Sequence, residues 1–192
     1  MVKSVYTIGF LLFIATMILF FGMYFFGMNT DYFNNSLLIN AFLMPAVYLA
    51  GAYYSVYELK KTGALMGFRA VFGRAFKPMF FGGLLSVLAM FAFLNFVDKD
   101  AKDLLNYQYI ERQKTELKNE YVKAKTGLNN DDISRQLDQK YNERLQSFSP
   151  EMLKDKDMFS FRQFTYYFAA ILIFYVILST FFATFFRNKP QV

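Results

Sequence analysis

The sequence is dominated by four long stretches, each of 20 or more residues, that contain no charged side chain. A helix needs about 20 mostly apolar residues to cross about 30 Å of hydrocarbon. Helices are the expected form, because unpaired backbone groups in lipid cost several kcal/mol each. The sequence therefore predicts an all-α integral membrane protein with four transmembrane helices. The predicted spans are about 5–28, 36–57, 78–97 and 164–186.

The composition excludes several kinds of chemistry. The chain contains no Cys and no His, which excludes disulfides, thiolate chemistry, imidazole catalysis and the usual zinc sites. It has no Gly-rich phosphate motif and no G-x-S-x-G motif. Acidic groups occur near residues 98–103 and 155–157, but the lysines between them favour a salt-bridged surface over a divalent-cation site. We therefore expect no enzyme activity, no cofactor and no metal.

The net charge of +6 is unevenly distributed and predicts the orientation. Residues 98–162 carry 13 Lys/Arg and 13 Asp/Glu, so the basic excess lies beside the spans and nucleic acid is not an expected partner. The connection between the first two spans has no Lys or Arg, whereas residues 60–77 contain five. The positive-inside rule then places residues 60–77 in the cytoplasm. Both termini would be cytoplasmic as well, with residues 98–162 outside the cytoplasm.

The basic segment 60–77 also has the pattern of an amphipathic helix. Its apolar residues follow the i, i+3, i+4 spacing of one helical face, opposite the cations. Such a helix suits the headgroup boundary of an anionic leaflet. The simpler interpretation is ordinary positive-inside anchoring in bulk lipid, and the alternative is a site for a phosphorylated lipid or for the acidic face of a partner. The apolar face comprises Phe68, Val71, Phe72, Ala75 and Phe76. The predicted headgroup-binding residues are Lys60, Lys61, Arg69, Arg74 and Lys77.

Two asparagines and one proline inside the predicted spans are candidates for structural roles. Asn40 and Asn95 both fall near the outer ends of their helices and form a candidate interhelix hydrogen-bonded pair, worth roughly 0.6 kcal/mol. The alternative is that both side chains face headgroups or water. Pro45 removes a helix hydrogen bond, and we expect it to kink the second span.

Residues 98–162 form the only sizeable region outside the spans. Residues 98–125 and the stretch from Ile133 to Phe148 each have a narrow amphipathic stripe, which predicts an antiparallel helical hairpin between the third and fourth spans. A core of one stripe per helix is thin, so the hairpin is expected to pack on the bundle, a second copy or a partner. The predicted interaction stripe is Leu117, Tyr121, Ile133, Leu137, Tyr141 and Leu145. The chain thus divides into residues 1–97, 98–162 and 163–192.

Residues 67–77 read GFRAVFGRAFK and are followed by a glycine-bearing span. This stretch resembles the signature of an uncharacterised bacterial family of small four-helix integral membrane proteins, in which the insertion also lies between the third and fourth spans. Arg74 stands where that signature has Gln. The resemblance implies a bacterial inner membrane location and supplies no catalytic residue. Relatives are encoded near polyprenyl-phosphate glycosyltransferases, which implies a partner of that kind and a lipid-linked sugar pathway.

Three classes of function fit these features. The first is a non-enzymatic accessory or assembly subunit of a membrane complex, in contact with a membrane protein partner or with a second copy. The second is a protein that binds a lipid or a polyprenyl phosphate through its basic segment. The third is an oligomeric channel or transporter, although no ionisable residue lies within the predicted span limits, where a coupled transporter usually needs one.

Overall fold

The computed structural model describes residues 3–29, 31–63, 66–126, 131–153 and 156–188. Within them the chain is helical and contains no strand. The helices are α1 (Val5–Gly27), α2 (Tyr32–Leu38), α3 (Met44–Lys60), α4 (Phe68–Ala92), α5 (Lys99–Thr126), α6 (Asp131–Gln146), α7 (Pro150–Leu153) and α8 (Phe161–Phe186). Two π-helical segments, Ile39–Leu43 and Phe93–Val97, continue α2 into α3 and extend α4.

Four of these helical segments are long and apolar enough to cross a membrane, as predicted. They are Val5–Gly27, Tyr32–Lys60, Phe68–Val97 and Phe161–Phe186. The second and third of these helical segments begin before residues 36 and 78, where the predicted spans start. The second helical segment already begins at Tyr32, and α4 runs through Pro78 without a break. The segment 68–77 is therefore continuous with the third apolar segment and is not a separate helix.

Pro78 is tolerated inside α4 because a neighbouring helix replaces the hydrogen bond that proline removes. A proline has no N–H to donate to the carbonyl four residues earlier, which here belongs to Arg74. The hydroxyl of Ser55 in α3 donates to this carbonyl oxygen over 2.6 Å. Pro45 is accommodated differently, since the π-helical segment directly precedes α3 and the amide of Met44 donates to the Ile39 carbonyl. The backbone is thus irregular where the kink was predicted.

The centre of the bundle is α4, which packs against α1, α3 and α8. Small residues allow the closest approach, and a Cβ added at Gly82 would lie 2.6 Å from the carbonyl oxygen of Gly9. A Cβ at Gly83 would lie 2.5 Å from the hydroxyl of Tyr175. Because helices in lipid gain little from the hydrophobic effect, such close packing between backbones is the main source of their association.

A cluster of buried side chains, separate from the centre of the bundle, joins the bundle to α5. Ala101 and Leu105 of α5 pack with Tyr32, Leu94 and Phe164 from three membrane segments. The first turns of α5 are therefore part of the bundle and not of a separate domain.

Gly82→Ala should lower the stability of the bundle, because the added methyl would press on the α1 backbone, which cannot move without moving the whole helix. Overpacking of this kind costs about 1–3 kcal/mol. The matched control is Gly22→Ala, since a Cβ at Gly22 meets no atom within 4 Å. Thermal unfolding of the two variants in the same detergent checks this. Equal midpoints for the variants would contradict the packing of α1 on α4.

Candidate functional site

The basic end of the molecule gathers one end of each of α1, α3, α4 and α8 and both described ends of the chain. The amide of Lys3 donates to Oε2 of Glu58 near the end of α3, over 3.5 Å. The amide of Asn188, just after α8, donates to the carbonyl oxygen of Met66 over 2.9 Å. The connection between α3 and α4 therefore lies beside Lys3 and Asn188. We call this region, with the cations around it, the basic end.

Arg74, one of the predicted headgroup-binding residues, instead bonds to backbone carbonyls of the protein. Its side chain is half-buried, and its Nε donates to the carbonyl oxygen of Ser55 over 3.0 Å. Its Nη2 donates to the carbonyl oxygen of Lys3 over 2.5 Å. With the Ser55 hydroxyl bonded to the Arg74 carbonyl, the two residues hold each other in both directions. The guanidinium thus ties α1 and α3 to α4 and is not a free cation for lipid.

Glu58 is a functional candidate that sequence reasoning missed. Its side chain is only 10% exposed, and Oε1 accepts from Nζ of Lys61 over 3.3 Å. Together with the Lys3 amide, these contacts compensate a carboxylate that would otherwise be costly to bury. The sequence does contain a signal for this residue, because Glu58 is the only acidic residue among the cations at this end.

The remaining predicted headgroup residues are exposed. Lys60, Arg69 and Lys77 lie on the surface, and no described residue bonds to their side chains. Lys61 is different because its ammonium lies 4.5 Å from the centre of the Tyr57 ring as well as beside Glu58. The hydrogen bond to Glu58 raises the pKa of Lys61. Cations that can meet a headgroup without losing an internal contact are therefore Lys60, Arg69 and Lys77.

The predicted apolar face divides into two parts. Val71 and Ala75 are completely buried in the bundle core. The phenylalanines instead form a stack along α4, with centroids 6.2 Å apart for Phe68 and Phe72 and 5.6 Å apart for Phe72 and Phe76. Phe72 and Phe76 of this stack pack against the bundle core.

The predicted pair of Asn40 and Asn95 does not form. The amide of Asn40 donates to the carbonyl of Ser36 one turn earlier, over 2.8 Å. The amide of Asn95 donates to the carbonyls of Phe91 and Phe159, over 3.0 and 2.9 Å. Each side chain satisfies its donor locally or on the segment before α8, so neither needs the other.

Polar side chains fasten the base of α5 to the outer end of the bundle. Nζ of Lys102 lies 3.1 Å from Oδ2 of Asp157, and Asn106 donates to the other oxygen of this carboxylate over 3.0 Å. Burial alone would raise the pKa of Asp157, but hydrogen bonds from Asn106, from the Phe159 amide and from Lys102 hold it below its usual value. These contacts use one of the predicted acidic groups in a salt bridge. Lys154 and Asp155 lie outside the described residues.

A second set of bonds fixes α5 to the start of the second membrane segment. Oε1 of Gln108 accepts from the Phe33 amide over 2.7 Å, and its Nε2 donates to the Asn29 carbonyl over 2.7 Å. One α5 side chain thus bridges the connection after α1 and the first turn of α2, which fixes the direction in which α5 leaves the bundle.

Beyond this base, α5 continues into a second half that packs on α6. We call residues 113–126 and 131–146 the distal arm. The rings of Tyr121 and Tyr141 stack with centroids 4.3 Å apart, and Nζ of Lys125 lies 2.7 Å from Oδ1 of Asp138. Hydrogen bonds from Lys125 and Tyr121 lower the pKa of Asp138.

The predicted interaction stripe is only partly covered in the distal arm. Leu117 is buried, and Tyr121, Leu137 and Tyr141 are half-buried. Ile133 and Leu145 remain 48% and 40% exposed. Val122, outside the predicted stripe, is 50% exposed. The two helices therefore contact each other through a narrow seam and leave several apolar side chains uncovered.

Comparison with known families assigns the chain to one of them. The family model described as "Protein of unknown function (DUF4199)" matches residues 7–188. The chain belongs to the DUF4199 family. This confirms the expected membership of an uncharacterised family. No curated protein and no solved structure matches the chain. In this DUF4199 protein, Glu58, Arg74 and the distal arm all lie within the matched range.

Replacing Arg74 should destabilise the DUF4199 chain rather than simply weaken its binding to lipid. Arg74→Gln removes charged hydrogen bonds to two carbonyls, each worth about 1.5–3 kcal/mol. The control is Arg69→Gln, which removes the same charge from an exposed position of the same helix. Thermal unfolding in detergent and amide exchange near Ser4 check this, with both affected only by the Arg74 change. Equal effects of the two variants would contradict an internal role for Arg74.

Proposed function

We propose that this chain is a non-enzymatic multi-pass membrane protein that acts as an accessory or assembly subunit of a membrane complex. The observation that carries the proposal is the contrast within α5. The base of this helix is fastened to the bundle, whereas the distal arm presents uncovered apolar residues such as Val122, Ile133 and Leu145. Apolar side chains held out by a fixed helix suit a surface that another protein covers.

The proposed partner is a membrane protein that packs along the distal arm. The arm is close to neutral in charge, since residues 113–126 and 131–146 carry seven Lys/Arg and six Asp/Glu, and shape with apolar contact would therefore dominate over charge. The family resemblance suggests a polyprenyl-phosphate glycosyltransferase as the class of partner. A second copy of the chain is the other occupant that the test below distinguishes.

The proposed location is the bacterial inner membrane, with both termini in the cytoplasm. In this arrangement α5 and α6 form an antiparallel hairpin on the periplasmic side. The basic end supports the orientation, because Lys3, Lys60, Lys61, Arg69 and neighbouring cations lie there with a single carboxylate, Glu58. Cations of this kind are retained on the cytoplasmic side of a bacterial membrane.

Cysteine labelling in intact cells should place the two ends of the molecule on opposite sides. The chain contains no Cys, so each substituted cysteine is the only thiol in the protein. Lys118→Cys in α5 should react with a membrane-impermeant maleimide, whereas Arg69→Cys should react only after the membrane is opened. Both positions are exposed, so accessibility to water does not differ in the folded protein. Reaction of both before the membrane is opened would contradict the orientation.

A photo-crosslinking residue at Ile133 should capture one partner in intact membranes. The matched control is Arg135, which is exposed and about 200° away around α6. A discrete adduct from Ile133, absent from Arg135, is the expected result, and mass spectrometry of the adduct separates a different membrane protein from a second copy. No adduct at Ile133, or the same adducts at both positions, would contradict a partner on this face.

A further inference from the structure

A cavity at the basic end lies between the connection of α3 to α4 and the end of α8. Its volume is about 420 Å³, and its lining residues are Lys60, Gly63, Met66, Phe185, Phe186 and Asn188. This volume is in the range of about 300–1,000 Å³ that small-molecule sites occupy. The walls combine one cation and one amide with two phenylalanines and a methionine, which is the chemistry of an amphiphile with an anionic head.

The walls of the cavity are held in place before any ligand binds. The bond from the Asn188 amide to the Met66 carbonyl fastens the end of α8 to the connection. The Met66 side chain is only 3% exposed and belongs to the bundle core. The ring of Phe186 packs on Tyr53 of α3, with centroids 6.1 Å apart. Contacts within the bundle therefore fix the Met66 and Phe186 walls, which lowers the cost of ordering them on binding.

The Lys60 ammonium at the cavity is available to bind an anion. Lys61 is engaged with Glu58, and Arg74 is bonded to two carbonyls, but no described residue bonds to the ammonium of Lys60. The side-chain amide of Asn188 is likewise without a partner among the described residues. An ammonium and an amide at one cavity provide hydrogen-bond donors for a phosphate oxygen, and a charged bond of this kind is among the stronger ones.

The apolar wall continues out of the cavity onto the membrane-facing surface. Phe185 lines the cavity and is 69% exposed, and Phe181, one turn earlier on α8, is 51% exposed. The two rings lie 4.6 Å apart, so they form one apolar strip that leads from the cavity along the span. An acyl chain would follow this strip, whereas a free phosphate ion would make no use of it.

We propose that this cavity binds one anionic phospholipid, with its phosphate at Lys60 and Asn188 and its acyl chain along Phe185 and Phe181. The site differs from general attraction of anionic lipid to the basic end, because Lys60 is the one exposed cation among the described residues that line it. It is also separate from the distal arm, at the opposite end of the bundle, so this proposal and the proposed function can fail independently.

The test is a lipid titration of the full-length chain in a mild detergent, followed by native mass spectrometry. Short-chain phosphatidylglycerol should form a one-to-one adduct, and phosphatidylcholine of the same chain length should not. Lys60→Gln should weaken the adduct about tenfold, which corresponds to about 1.4 kcal/mol. Arg69→Gln removes the same charge outside the cavity and should leave the adduct unchanged. Phe185→Ala should weaken the adduct without changing the net charge.

Three results would overturn the proposal. Equal weakening by Lys60→Gln and Arg69→Gln would show diffuse attraction by surface charge. Displacement of the lipid by glycerol phosphate at matched concentration would show a phosphate site that needs no acyl chain. Displacement by a polyglutamate peptide would show a site for an acidic protein segment. All three substituted residues are exposed or half-exposed surface positions, and an unchanged thermal midpoint in detergent verifies that each variant is folded.

Discussion

The reciprocal contact between Ser55 and Arg74 is the interaction on which the basic end depends. Pro78 leaves the Arg74 carbonyl without its helical donor, and a bare carbonyl inside a membrane costs several kcal/mol. The Ser55 hydroxyl satisfies that carbonyl, and the Arg74 guanidinium returns a bond to the Ser55 carbonyl. The same guanidinium also bonds to the Lys3 carbonyl. The contacts that compensate the missing hydrogen bond at Pro78 therefore also hold α1, α3 and α4 together.

This contact decides which cations remain for lipid. With Arg74 turned inward and Lys61 held by Glu58, the positive charge that faces the membrane surface comes from the other lysines and arginines at this end. Glu58 keeps the internal cluster from being purely cationic, and it fastens Lys3 through the backbone. The basic end therefore has an interior held by hydrogen bonds. Around it lie exposed cations, Lys60, Arg69 and Lys77, whose side chains no described residue bonds.

The sequence predicted the four spans and the approximate limits of α5. Long runs of uncharged residues indicate helices that lie in lipid, and the Gly and Asn residues after α5 indicate where that helix ends. The prediction failed for Arg74 because hydrophobicity alone cannot distinguish the face of α4 that meets other helices from the face that meets lipid. The predicted apolar face included Val71 and Ala75, which are buried, but its phenylalanines are only partly covered, and the buried row continues instead at Gly82. Asn40 and Asn95 failed because local carbonyls were nearer partners than a second side chain.

The distal arm has few stabilising contacts of its own. Its ion pairs are exposed, with side chains 43% and 41% accessible for Lys125 and Asp138, and exposed pairs contribute only about 0–1 kcal/mol. The stacked tyrosines and one buried leucine are a thin core for helices of this length. The fastened base fixes the direction of the arm without covering its apolar residues. A partner that covered Ile133 and Val122 would therefore add the burial that the two helices lack, and binding and ordering of the arm would be thermodynamically linked.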